Sequence, residues 1–515
     1  MYAGDLALIN GKLITLEAQQ PRAEAALVRN GRIALVGSTA EVLAAAGDAP
    51  RFDCDGRTVV PGFVDGHVHF EYTCLALTHC FSCPTPPYRS LAEIGSGLSE
   101  WVERTPPGEW VIARTSFGLQ HKVAEGRLFN RHELDALTTA HPLVVLSGMH
   151  VAMLNTPGLH ALGLWNRVDN PPVGVTIHRE PEGTPTGVAT EIWNLLPAFS
   201  KEKVKDAIRR KGHEQFIAQG VTTIHNLPYS AHDIQAVQEL QASGELPLRI
   251  RFFYHLPHQT NLDDLLAMGL RPGFGNDMLR YGGIKTFIDG IGHDGYGTPL
   301  WDVKWTREEL FDFVERAHAG GQQLWMHVLR AESLRLGCDA IEAALRAYPG
   351  PHRHRLEHSA DIVQDDADIA RMQELGIRAV TTPQFLYSGL GARTRERSPE
   401  QRPRWRALID RGFEVIGSSD STGTVPDGIS PLFNIACALV YAPGAPISVE
   451  EALKMFTIWP AAGAFEEHDK GTLSPGKLGD FAVLSADPHE VEPEAIFDLQ
   501  VAATILGGVP VHDSR

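Results

Sequence analysis

The chain has 515 residues, a net charge of −17, 43% hydrophobic and 21% charged residues. That length exceeds one small core and fits a large catalytic domain with an accessory domain, and the composition is that of a globular protein, not a disordered one. The negative charge argues against nucleic acid or an anionic membrane as partner, because both call for a basic surface.

The N-terminal stretch MYAGDLALINGKLITLE alternates apolar residues without a basic leader and apolar run. No uninterrupted apolar span is long enough to cross a bilayer, so a cytoplasmic protein without a membrane partner is expected. Six cysteines do not make a disulfide framework in a chain of this length. Cys80 and Cys83 form a CxxC beside His79; without a second pair, buried thiols are the preferred reading over structural zinc or redox chemistry.

Residues 1–60 carry short alternating segments at Leu6–Ile9, Lys12–Leu16, Ala25–Arg29, Arg32–Gly37 and Thr58–Val60. Asn30-Gly31 between two of them is a tight-hairpin signal. They read as a small antiparallel β unit that cannot bury much alone. Lys477–Ser485 and Val501–Val511 repeat the style at the far end. The expectation is one discontinuous β-sandwich, 1–60 plus 466–515, with a catalytic domain at 61–465 between its halves.

Within 61–465 a second rhythm runs, of short apolar strand, polar loop and amphipathic helix. Strands are expected at Pro61–Phe70, Val221–Leu227, Leu248–Leu256, Tyr281–Asp289, Gln323–Leu329, Arg355–Ser359, Ala379–Phe385 and Glu414–Asp420. Helical patterns follow at Ala231–Ala242, Thr306–Ala319, Ala331–Ala347 and Ile362–Leu375. Eight strands mostly separated by helices make an α/β protein, a TIM-like (β/α)8 barrel. Residues from about 84 to 200 break the rhythm and read as an insertion over the barrel mouth. Its Trp101, Trp110, Phe117, Trp165 and Trp193 suit either a partly apolar substrate or a core.

Chemistry in such barrels sits where strands end. His67 and His69 close the first strand and point to one face of it. Lys285, His327, His358 and Asp420 belong to later strands of the same set. Each alone has a structural alternative, a satisfied core histidine or a capping aspartate. Together, four imidazoles and a carboxylate suit a borderline divalent ion, zinc first, with iron, nickel or manganese open. Lys285 cannot ligate as an ammonium; buried, it could lose its proton and add CO2, or it could bind substrate or pair with Asp289.

PGFVDGHVHF, GTPTGVATE, GVTTIHN, GGIKTFIDG, HRLEHS, GSSDS and FEEHDKGTLSPGKLGDFAVLS occur in this order. In them the chain resembles the amidohydrolase superfamily, and within it the N-substituted formamide deformylase-like branch. The resemblance implies a metal-dependent hydrolase that cleaves a non-peptide, amide-type C–N bond of a small molecule with metal-activated water. It implies that His67, His69 and Asp420 hold one metal and His327 and His358 a second. Lys285, as N6-carboxylysine, would bridge them, and Asp420 would serve as base and then acid.

Alternatives within the superfamily are deamination, ester or lactone hydrolysis and decarboxylation; outside it, a non-catalytic metal-binding barrel. Two segments depart from the branch: His327 is followed by Val-Leu-Arg-Ala, and Asp289-Gly290 leads into IGHDGYG. The departures make His293 and Asp294 candidate substrate-binding residues. His150, in SGMHVAMLN, is a third candidate, with a structural role as the alternative. A homodimer is compatible with all of this.

Overall fold

The computed structural model describes residues 2–167, 175–290, 305–387, 403–425, 427–442 and 446–515. Its centre is a single eight-stranded sheet in chain order: Phe63–Val68, Val221–Asn226, Arg249–His255, Leu279–Phe287, Leu324–His327, Arg355–Glu357, Arg378–Thr381 and Ile416–Gly417, barrel strands 1 to 8 below. Every pairing is parallel. Such strands are covered on both faces, which is why they read as near-continuous apolar runs and not as alternation. Helices including Ala231–Ala242, Arg307–Ala319 and Ala331–Ala347 follow strands 2, 4 and 5 and share one apolar core with the barrel. Ser230 and Thr306 start the first two with reciprocal capping boxes, each worth about 1 kcal/mol. The expected helix at 362–375 is two pieces, Ser359–Ile362 and Asp366–Glu374.

Strand 8 returns to strand 1 through three hydrogen bonds. Asp420 N donates to His67 O at 2.9 Å, and His69 N to Ser421 O at 3.2 Å. Ser419 N donates to Asp65 Oδ1 at 3.0 Å. Gly66 makes this approach possible: a Cβ there would lie 2.4 Å from Ile416 Cγ2 and 2.7 Å from Gly417 O.

The first motif is not one strand, as the sequence suggests. Thr58–Pro61 belongs to a terminal sheet, and the barrel strand starts at Phe63. Gly62 stands between them, where a Cβ would sit 2.4 Å from Thr222 Oγ1. His69 lies past the strand and opens the helix Phe70–Ala76.

Strands from both ends of the chain build two further sheets. One runs Arg32–Gly37, Ala25–Arg29, Leu6–Ile9, Arg51–Asp53; the other Val509–Asp513, Val501–Leu506, Phe481–Leu484, Thr58–Pro61, Lys12–Ile14, Arg22–Ala23. Leu8, Val28, Phe481 and Ile505 meet in the core between them. The N-terminal unit is mixed, not antiparallel: Leu6–Ile9 pairs parallel with Arg51–Asp53, and Lys12–Ile14 parallel with Thr58–Pro61. The helix Thr39–Ala46 supplies the crossover before Arg51–Asp53, which a hairpin reading misses. The Asn30-Gly31 hairpin is as expected, with φ of 48° and 77°.

The segment between barrel strands 1 and 2 has its own six-stranded mixed sheet, including Val111–Thr115, Leu143–Ser147, Val151–Leu154 and Pro185–Thr190. Cys80 and Cys83 fall in the cores on its two opposite faces. Burial pushes both thiols up to about 12. They are packing residues. Among the described residues no helix is long and apolar enough to cross a membrane.

Candidate metal centre at the barrel mouth

The hydrogen bonds that close the barrel also assemble the site. Because Asp420 N is tied to His67 O, its carboxylate stands over strand 1, with Oδ1 3.0 Å from His69 Nε2 and 3.5 Å from His67 Nε2. Oδ2 is 3.9 Å from His358 Nε2. Asp420 and His358 hold φ of 45° and 66°. Left-handed backbone costs a non-glycine residue about 1 kcal/mol or more, and it recurs where a side chain must be aimed.

The outer partners set the ring tautomers. Glu357 Oε2 lies 2.5 Å from His67 Nδ1, and Glu357 is itself held by Arg355 at 2.8 and 2.9 Å. Burial opposes ionisation of Glu357, but Arg355 and then His67 more than offset it and keep the carboxyl well below the usual range. His67 therefore donates through Nδ1 and turns the Nε2 lone pair toward Asp420. On the second ring, Tyr229 Oη is 2.6 Å from His69 Nδ1 and donates its own hydrogen to Met149 Sδ at 2.8 Å. Nδ1 of His69 is thereby occupied, and Nε2 is the nitrogen turned to Asp420.

Donor atoms of His67, His69 and Asp420 converge within 4.8 Å. Such a set repels itself unless a proton or a cation lies between. Burial disfavours the proton, pulling His67 down to about 3 and lowering His69 too. The three fit a divalent cation.

Beside them, His327 ends strand 5 with its ring 4.8 Å from that of His358. His327 Nε2, His358 Nδ1 and Lys285 Nζ are buried and make no hydrogen bond among the described residues. Orphaned donors and acceptors in a core are costly, so a concentration of them marks a ligand position. Lys285 lies 4.8 Å over the Phe287 ring, and burial draws its ammonium down to about 8. It does not pair with Asp289, whose carboxylate accepts from Leu329 N at 3.0 Å.

All six residues line one cavity of about 370 Å3. The match to the amidohydrolase family covers residues 52–512. The chain belongs to that family. It is accordingly a hydrolase acting on carbon–nitrogen bonds other than peptide bonds. The N-substituted formamide deformylase of Arthrobacter pascens is 28% identical over 540 residues, spanning 98% of both chains. Protein LONG AFTER FAR-RED 3 of Arabidopsis thaliana is 27% identical, over 99% of this chain and 91% of that one. An uncharacterized metal-dependent hydrolase from Pyrococcus furiosus has the same fold, with a TM-score of 0.71 at 22% identity, over 94% of this chain and 100% of that chain. Atrazine chlorohydrolase TrzN from Arthrobacter aurescens TC1, complexed with zinc, gives 0.58 at 13% identity, over 99% and 95%.

The walls of this amidohydrolase's cavity come from barrel and insertion alike. Phe117, Met149 and Val151 line it together with Phe287, Leu329 and Phe385. Of the five insertion aromatics, only Phe117 lines it; Trp101, Trp110 and Trp165 pack in the insertion's cores, and Trp193 lies behind Met149 and Phe287. His150 also lines the cavity. His293 and Asp294 lie outside the described residues. Sequence reasoning missed Glu357 and Tyr229. The one signal for Glu357 is its place beside His358 in HRLEHS.

Proposed function

We propose that this amidohydrolase cleaves an amide-type, non-peptide C–N bond of a small substrate with an apolar portion, with a divalent metal as cofactor. The observation that carries the reading is the convergence of His67, His69 and Asp420 within 4.8 Å, at a cavity with apolar walls. These three would hold one ion, with zinc favoured by the nitrogen and oxygen donors and supported by the zinc-bound relative in fold. His327 and His358 would hold a second. Lys285, deprotonated in its buried position and carrying CO2 as a carbamate, would join the two.

A bound divalent ion supplies Lewis-acid polarisation of the substrate carbonyl and brings the pKa of water toward about 7. The side chains do the rest. Asp420, aimed from its left-handed backbone, accepts the proton of the attacking water on a carboxylate oxygen. It then delivers that proton to the departing nitrogen, because an amine anion is too poor a leaving group to go unprotonated. Phe287, Leu329 and Phe385 exclude bulk water and give the substrate's apolar part its place.

Product analysis tests the reading: zinc-supplemented enzyme against N-formyl, N-acetyl and N-aryl amides, with esters and lactones alongside. Release of an amine and its matching acid, lost on chelation, is expected. Cleavage of esters or lactones alone would remove the amide assignment.

A further inference from the structure

Four arginines are buried among the described residues: Arg114, Arg249, Arg251 and Arg355. Three of them meet a buried carboxylate. Arg249 pairs with Asp480 at 2.7 Å, Arg251 with Glu466 at 2.9 Å and Arg355 with Glu357 at 2.8 Å. Arg114 breaks the pattern. It is 2% exposed, and its Nε and Nη2 make no hydrogen bond among the described residues. No carboxylate there offsets its charge; burial pulls the guanidinium well below its ordinary range, and Tyr229 is the one ionisable neighbour acting the other way. The guanidinium carbon lies 3.2 Å over the centre of the Tyr72 ring. Tyr72 Oη is itself buried and unbonded.

A guanidinium does not give up its proton inside a protein, so the charge has to be met in another way. The face of Tyr72 attracts the cation but offers no acceptor to Nε or Nη2. Those two nitrogens share one edge of the guanidinium and point their hydrogens in parallel. That edge takes both oxygens of a carboxylate, or a single halide. Tyr72 Oη adds a third hydrogen that needs an acceptor. A water molecule would answer the hydrogen bonds and leave the buried charge uncompensated.

We propose that Arg114 and Tyr72 form a site for a small monovalent anion, a halide or a carboxylate of the size of formate. Arg114 belongs to the insertion strand Val111–Thr115, and Tyr72 to the helix Phe70–Ala76 that follows barrel strand 1. The anion therefore joins the insertion to the barrel as well as neutralising the arginine. Neither residue lines the metal cavity. Tyr72 packs 5.0 Å from the ring of Tyr229, whose hydroxyl meets His69. The site thus stands two rings behind a candidate metal ligand, and it does not depend on which bond the enzyme cleaves.

Sodium chloride and sodium formate are each titrated into the metal-loaded enzyme in place of sodium gluconate, at constant ionic strength, with Tm as the readout. An anion that binds the folded state raises Tm in a saturable way. A rise of about 2 °C is expected with at least one of the two, and the lower midpoint concentration identifies the preferred ligand. Arg114→Met keeps much of the bulk without the charge and should abolish the dependence. An anion acting at the metals instead would still act in that variant. Tyr72→Phe keeps the ring, removes only the hydroxyl, and should raise the midpoint concentration about tenfold. No saturable rise with either anion would overturn the site, as would midpoints that neither substitution moves.

Discussion

Glu357 reaches His67 across 290 positions of sequence and sets which nitrogen of that ring is left for a metal. It is fully buried, as is Arg355, whose guanidinium also lies 3.4 Å over the Trp325 ring. The chain thus keeps a charged pair inside the barrel for the sake of one tautomer. A carboxylate behind a ligating imidazole makes it a better donor, and losing such a partner weakens metal binding about 10- to 100-fold. Glu357→Gln is expected to lose affinity on that scale in a chelator competition. Unchanged affinity would mean that His67 is not a ligand. Tyr229 does the same for His69 from the loop after strand 2. Tyr229 has no local signal in the sequence and Glu357 has only its place beside His358 in HRLEHS, since the role of each is defined by what folding brings opposite it.

At the scale of the element, the barrel was legible because its strands are covered on both faces and so stay apolar throughout. The six candidate ligands were legible because charge at the end of an apolar strand needs a reason. The same signal misleads elsewhere. His225 lies near the end of strand 2, yet it turns toward Arg355, 3.2 Å from its guanidinium, and away from the cavity. His255 ends strand 3 and stacks on Trp193, ring centres 4.7 Å apart. Which face a histidine takes depends on strand register, which one strand's sequence does not carry. The parallel pairings of the N-terminal unit were hidden for a related reason: short alternating segments look alike whichever way they pair.

For the whole molecule, the terminal strands and the barrel are tied by buried charge. Arg249 on strand 3 grips Asp480 at 2.7 and 2.8 Å, and Glu466 meets Arg251 at 2.9 Å, Arg280 at 3.0 Å and Lys470 at 3.2 Å. Burial works against an ionised Glu466, but Lys470 and Arg251 more than compensate and hold its carboxyl well below the usual range. A folded-state pKa below the unfolded value of about 4.3 gives stability that is complete above that pH and lost as the pH falls through the folded value. Glu466→Gln should therefore lower stability by about 3 kcal/mol at neutral pH, and the gap in Tm from wild type should narrow below about pH 4. A gap that stays constant with pH would assign the loss to packing instead.

The insertion and the barrel meet over the cavity, and the barrel's closing hydrogen bonds aim Asp420 into it. The most direct measurement is the turnover number of Asp420→Asn, taken with metal content determined on the same samples. Metal largely retained and turnover lower by about 1000-fold or more are expected of a residue that moves the proton. Activity close to wild type at matched metal content would contradict the assignment of Asp420 and the mechanism built on it.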